Sequence, residues 1–276
     1  GEPLVRKEVI QIVAALRTQT NIQNIAITTN GSLLLPRLKP LKDAGLNSLN
    51  ISLDSLCPQN FKKIALKSDY SAVMDSIEQA VLEGYRPKIN VVVMKGLNDH
   101  EIPDFINFSF QNGIEEVRFI EFMPLCGTGW KPQHVFDLTE TIEGLQDQYQ
   151  VSRVLSEPSS VSESYVIQKN GRKGKVGFIR TLSKPFCGNC SRIRVSATGD
   201  LKPCLFSHDF VALKPYLKTG SNEEIQHLIK QAVLKKSKGN EFSSQYNQKV
   251  HLKNTLYDRA STPSRVNYPS IRAIGG

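Results

Sequence analysis

The residues of this chain whose types and spacing could do chemistry gather in its second half. Cys187-Gly188-Asn189-Cys190 is followed, after thirteen residues, by Cys204. Two thiolates two residues apart on a tight glycine-containing turn can grip one metal centre together, and a third reaches it from a later segment. Three thiolates leave one corner of a four-metal cluster open, which suits a substrate bound directly on the metal, or else require a fourth ligand from elsewhere. A zinc ribbon completed by a residue such as His208 satisfies the same spacing, and so do three unrelated buried thiols. Arg192-Ile193-Arg194 lies between the second and third cysteines. Arginines at strand spacing share a face, and beside a metal they form a forked grip suited to phosphate. The plainer alternative is two exposed strand arginines.

The elements that must position these residues alternate along the first half. Apolar residues at helical spacing predict a helix over 8–17, and a β-branched run predicts a strand over 24–29, closed by Asn30-Gly31. A helix over 33–44 is delimited by Pro36 and Pro40. Strands follow over 48–53, 88–94 and 117–122, with helices over 70–82 and 102–111 between them. Strand, helix, strand, helix at this spacing implies a parallel sheet. The apolar strands suggest burial on both faces. The fold class is α/β, with a partial TIM-type (β/α) barrel as the best architecture and an open doubly wound sheet second. After about Met123 the texture changes, so residues 1–130 read as the partial barrel and 131–276 as an extension. The extension has short strand-like pieces at 164–168, 175–180, 193–196 and 201–205, helices near 210–217 and 222–234, and a polar, irregular tail from Lys235.

The chain has 276 residues, 39% of them hydrophobic and 22% charged, as in an ordinary globular protein. No apolar run reaches the ~18–20 residues that a membrane span needs. The formal charge is +9, but no block of like charges marks a basic arm, so a polyanionic small substrate is favoured over nucleic acid. Five cysteines is an odd number, and a chain of this size needs no disulfide staples, so an intracellular, reducing compartment is expected. Cys57 and Cys126 stand singly and read as incidental. The chain opens on Gly1-Glu2-Pro3-Leu4 without Met or a leader pattern, and reads as the interior of a longer protein.

The stretch FCGNCSRIRVSATGDLKPCLF, residues 186–206, resembles the second-cluster motif of the radical-SAM GTP 3′,8-cyclases, which begin molybdenum-cofactor synthesis. The opening GEPLVR resembles that family's GGEP motif from its second glycine. TTNG at 28–31, NISLDS at 50–55, KIN at 88–90, RFIEFMP at 118–124 and the terminal Gly275-Gly276 fall in the family's order. The resemblance implies that Cys187, Cys190 and Cys204 hold a second 4Fe-4S cluster. It implies that Gly1, Glu2, Ser52 and Met123 bind S-adenosylmethionine. Thr28, Lys88, Arg192, Ile193 and Arg194 then contact GTP. Asn90 shares the face of Lys88, and Arg118 lines the same site. Gly275 and Gly276 thread into the active site and help the reaction.

The implied reaction is cyclisation of GTP between its ribose 3′ carbon and guanine C8, started by a radical from S-adenosylmethionine. The product passes to the next enzyme of the pathway. A homodimer is possible, and the compartment is the mitochondrial matrix in a eukaryote or the cytoplasm in a bacterium. One departure stands out. The CxxxCxxC motif that holds the family's first 4Fe-4S cluster occurs nowhere in these residues. The first cluster is therefore expected only in a full-length protein, and this chain alone is expected to be inactive. Two other readings remain open: another radical-SAM enzyme with an auxiliary cluster, and a zinc-ribbon nucleic-acid-binding module.

Overall fold

The computed structural model describes residues 1–236, apart from 66–68, 112, 126–127, 156–158 and 208. Cys126, His208, the tail beyond Lys236 and Gly275-Gly276 thus lie outside the described residues. Helix α1 (Val9–Gln19) leads to strand β1 (Ala26–Thr29), helix α2 (Leu38–Asp43) to β2 (Ser48–Ser52), and helices α3 (Pro58–Ala65) and α4 (Tyr70–Leu82) to β3 (Lys88–Val93). Helix α5 (Ile102–Gln111) then leads to β4 (Glu116–Glu121), and α6 (Leu138–Gln148) to β5 (Gln150–Arg153), β6 (Glu163–Lys169) and β7 (Arg172–Ile179). Pro40 is tolerated inside α2 because it is the third residue, where the backbone N–H has no partner within the helix. After β1 the chain turns on Gly31 at φ +79°, a conformation that suits glycine, with Val73 packed too close for a freely placed side chain.

The strands form one seven-stranded sheet in the order β1-β2-β3-β4-β7-β6-β5. The first five in that order run parallel, β6 pairs antiparallel to β7 and β5 antiparallel to β6, and the sheet crosses residue 130 without a break. Among the described residues the sheet is open, as the expected partial barrel requires. The expectation of burial on both faces is corrected. Odd-numbered residues of β1 to β4 are buried, such as Ile27, Leu49, Ile89, Val91 and Phe119. Even-numbered ones are exposed or half-buried, Glu116 excepted. Side chains alternate faces along a strand, and here only one face lies in the apolar core.

Strands β8 (Arg194–Val195), β9 (Asp200–Lys202) and β10 (Val211–Ala212) form a second, small sheet, followed by helices α7 (Tyr216–Thr219) and α8 (Asn222–Leu234). The helix expected over 210–217 is therefore divided. Val211 and Ala212 pair with β9 instead, and Pro215, which cannot donate a backbone hydrogen bond, precedes the short α7. Leu201, Leu213 and Ala232 make a separate small core that seats α8 on this sheet.

Phe119 is fully buried at the centre of β4, its ring 6.3 Å from that of Phe105 and 5.6 Å from that of Phe178. Phe119→Ala is expected to cost about 3–5 kcal/mol of unfolding free energy. A denaturant titration with an unchanged slope and a lowered midpoint checks it.

Candidate active site

Parallel register sets the polar residues of the sheet in rows. Ser52, Asn90 and Arg118 are partners across β2, β3 and β4, so their side chains leave the sheet on one side. Thr28, Asn50, Lys88 and Glu116 form the row below. Arg118 donates from Nε to Glu116 Oε2 at 2.7 Å and from Nη1 to Asn50 Oδ1 at 3.3 Å, and Asn50 Nδ2 donates to Thr28 Oγ1 at 3.3 Å. Lys88 Nζ stands 3.2 Å from Glu115 Oε1. Burial would raise the Glu116 carboxyl, but the Arg118 charge, the Ser164 hydroxyl and Lys175 outweigh it and hold it below the usual carboxylate range. Gly177 lies opposite Arg118, where a side chain would collide with Ser162 and press on Glu116. Asn90 Oδ1 is buried with no hydrogen-bond partner among the described residues. A buried carbonyl of this kind is costly unless something bonds to it.

Two residues beyond Arg118, on the same face of β4, Ile120 lines a cavity of about 180 Å³. Its wall carries Cys187, Cys190 and Cys204, together with Arg192, Arg194, Lys236, Met123 and Thr181. Among the described residues no carboxylate lines it, and three cations and three thiols share a mostly apolar wall. Cys187–Asn189 form one 3-10 turn, closed by Cys190 N donating to Cys187 O at 3.3 Å. Burial would raise the Cys190 thiol, but the Arg192 backbone N–H, the Lys236 ammonium and the Arg192 charge hold it below its ordinary range. Burial pulls the Arg194 guanidinium down, with the Cys204 and Cys190 sulfurs opposing. Ile193 does not line the cavity and is 41% exposed, whereas both neighbours line it, Arg194 half-buried and Arg192 still largely exposed. Thr181 Oγ1 is a second orphan, buried without a partner among the described residues.

Three thiols on one wall, one of them biased toward thiolate and all beside cations, suit the donor set of an iron–sulfur cluster. Among the described residues, no three His, Cys, Asp or Glu side chains stand close enough to hold a single metal ion.

Residues 1–109 match the radical SAM superfamily, and residues 115–242 match the family described as Molybdenum Cofactor Synthesis C. The chain belongs to the radical-SAM family of molybdenum-cofactor synthesis proteins. It is 42% identical over 218 residues to a GTP 3′,8-cyclase of Alkaliphilus metalliredigens, covering 77% of this chain and 65% of that one. It is 38% identical over 240 residues to a mitochondrial GTP 3′,8-cyclase of Arabidopsis thaliana, covering 86% and 61%. It is 38% identical over 241 residues to molybdenum cofactor biosynthesis protein 1 of Drosophila melanogaster, covering 86% of this chain and 42% of that protein. The chain thus spans about two fifths to two thirds of the length of these relatives. Among solved structures, Streptococcus suis SuiB shares the fold at a TM-score of 0.56 with 14% identity, covering 90% of this chain and 62% of that one. No helix among the described residues is long and apolar enough to cross a membrane.

In this radical-SAM chain the residues expected to act fall into three places. Met123, the cysteines, Arg192 and Arg194 line the cavity, while Thr28, Ser52, Lys88, Asn90 and Arg118 lie on the sheet face that leads to it. Gly1 and Glu2 stand at the end of β1. There the Glu2 carboxylate accepts from Leu4 N at 3.0 Å, Thr29 Oγ1 at 2.7 Å and Asn30 N at 2.8 Å. It fastens the first residues to the strand, which leaves the backbone rather than the side chain to meet a ligand. Cys57 stands apart, donating to Gln59 Oε1. Sequence reasoning missed Asn50, Glu115, Glu116, Thr181 and Lys236. The signal for Asn50 and Glu116 was present in the two-residue spacing to Ser52 and Arg118.

Asp54 follows Ser52 by two residues and accepts from Val92 N at 2.8 Å. Burial pushes its carboxyl up to about 6, and that hydrogen bond offsets only part of the rise. A folded pKa above the unfolded value means that the folded state holds the extra proton between about pH 4 and 6, so stability falls as pH rises through that window. Asp54→Asn keeps the acceptor and removes the charge. It is expected to add about 1–3 kcal/mol at pH 7.5 and much less at pH 4. Equal shifts of the denaturation midpoint at both pH values would sink this account.

Proposed function

We propose that this chain is part of a GTP 3′,8-cyclase, and that it holds GTP and an auxiliary 4Fe-4S cluster in the cavity at the end of the sheet. The observation that carries the reading is the cavity's lining: three thiols and three cations on one wall, with no carboxylate among the described residues. Cys187, Cys190 and Cys204 would hold the cluster, with a fourth coordination position left for substrate. Among the described residues Arg192 and Arg194 have no carboxylate beside them on the cavity wall, so a polyanion such as a triphosphate is their natural partner. Lys88, Arg118, Asn90 and Thr28 offer further donors and acceptors along the sheet face. Gly1, Glu2, Ser52 and Met123 border the place for S-adenosylmethionine, and Gly275-Gly276 assist the reaction. Bound there and cleaved with an electron from the first cluster expected in the full-length protein, S-adenosylmethionine would supply the radical chemistry for cyclising GTP.

The chain's own part is positioning. Fixed cations hold the triphosphate, and an apolar wall of Ile120, Ile179 and Phe186 keeps water from the reacting carbon. Such positioning supplies a large share of a rate enhancement, while the cofactor carries the chemistry. A reducing interior suits open thiols.

Anaerobic reconstitution of the chain with iron and sulfide is expected to load about four irons, as three cysteine ligands of such a cluster require. The loaded chain is expected to bind GTP. In the Arg192→Ala/Arg194→Ala double variant, loss of two charge-assisted contacts should weaken that binding about 100-fold or more. Tightly held zinc without GTP binding would overturn the reading and favour a zinc module.

A further inference from the structure

We infer that Lys236 is a positioning residue for the auxiliary cluster: its ammonium locks the Cys190–Arg192 turn and donates a hydrogen bond to the Cys190 sulfur. The inference rests on the reading of the cavity as a cluster site. Lys236 Nζ donates to Cys190 O, to Arg192 O at 2.8 Å and to Cys190 Sγ at 3.4 Å. A lysine ammonium has three N–H groups and no acceptor. All three are used on this one turn, so none is left for a phosphate. Lys236 therefore differs from Arg192 and Arg194, although all three line the same cavity.

The contact is built from a distance. Helix α8 starts on a capping box, with Ser221 Oγ accepting from Glu224 N at 3.2 Å and Glu224 Oε2 accepting from Ser221 N at 2.8 Å. Ala232, with Leu228 and Ile229, packs the helix on Leu201 and Leu213. Lys236 follows its last turn, held by its N–H to Val233 O at 3.1 Å. The helix thus delivers a cation to a turn 46 residues earlier in the chain. By binding the carbonyls on either side of Ser191, the ammonium fixes the spacing between a cluster sulfur and the Arg192 guanidinium. By donating to the sulfur, it withdraws charge from the thiolate and favours the reduced cluster.

The test compares the reconstituted chain with Lys236→Met, which removes the donors, Lys236→Gln, which keeps a neutral donor, and Lys236→Arg, which keeps the charge. Circular dichroism establishes that each variant folds. Lys236→Met is expected to lose iron to a chelator about 10-fold or more faster than the parent. Its cluster is expected to take up an electron at a more negative potential, read by electron paramagnetic resonance during a reductive titration. Lys236→Gln should fall between the parent and Lys236→Met, and Lys236→Arg should recover most of the retention. A folded Lys236→Met with the parent's potential and rate of iron loss overturns the inference and leaves the cluster reading standing. A parent chain that takes up no iron overturns both.

Discussion

In a parallel sheet, partners in register turn their side chains to the same side, and β1 to β4 use this rule to separate chemistry from core. The odd-numbered residues enter one continuous apolar cluster with residues of α1, α2, α4 and α5. That leaves Thr28, Asn50, Ser52, Lys88, Asn90 and Arg118 together on the opposite face. A polar row of this kind is stable only if its members pair with each other or with a ligand. Glu116, Asn50 and Thr28 meet most of that need, and the orphaned Asn90 carbonyl marks where it is unmet.

Two kinds of cation follow from this arrangement. Lys88 and Arg118 are held by acids at the start of β4, Glu115 just before it and Glu116 its first residue, which aim them and offset their charge. Arg192 and Arg194 reach a cavity with no acid on its wall among the described residues. Cations in such a mostly apolar cavity favour thiolate and attract anions at once, so one feature underlies both the cluster and the substrate roles proposed for it.

Much of this was legible in the sequence. The cysteine spacing, the arginine pair and the strand cores of the first half each follow from local pattern, and helices α4, α5 and α8 fall where periodicity set them. The one-sided burial was also written in SLNIS and KINVVV, whose polar residues alternate with apolar ones. Reading them as apolar runs hid it. Helix α6 and strand β5 escaped because β5 has no buried residue to set a period and α6 buries only Leu138 and Leu145. Phe210–Leu217 looked helical by composition, yet pairing with β9 decided the conformation of Val211 and Ala212. The spacing of Glu116 to Arg118 was visible, but its other partner, Ser164, lies 48 residues away and no local pattern joins the two.

The loop that carries the cysteines shows why polar ties matter more here than packing. No residue from Ser183 to Val195 is buried, so the hydrophobic effect gives this segment little fixed position. Its approach is held instead by Glu121, at the end of β4, which accepts from Leu182 N at 2.7 Å, from Ser183 N at 3.1 Å and from the Ser183 hydroxyl. Burial still pushes the Glu121 carboxyl up despite these bonds. That leaves the sheet paying a real desolvation cost to anchor the loop at this point. Further on, Lys236 holds the Cys190–Arg192 turn from α8. An acid from the sheet and a base just past the end of α8 thus clamp a weakly packed loop from two sides. The relative placement of sheet and extension therefore sets the geometry of the thiols, and a cluster bound there would in turn tie the two sheets together.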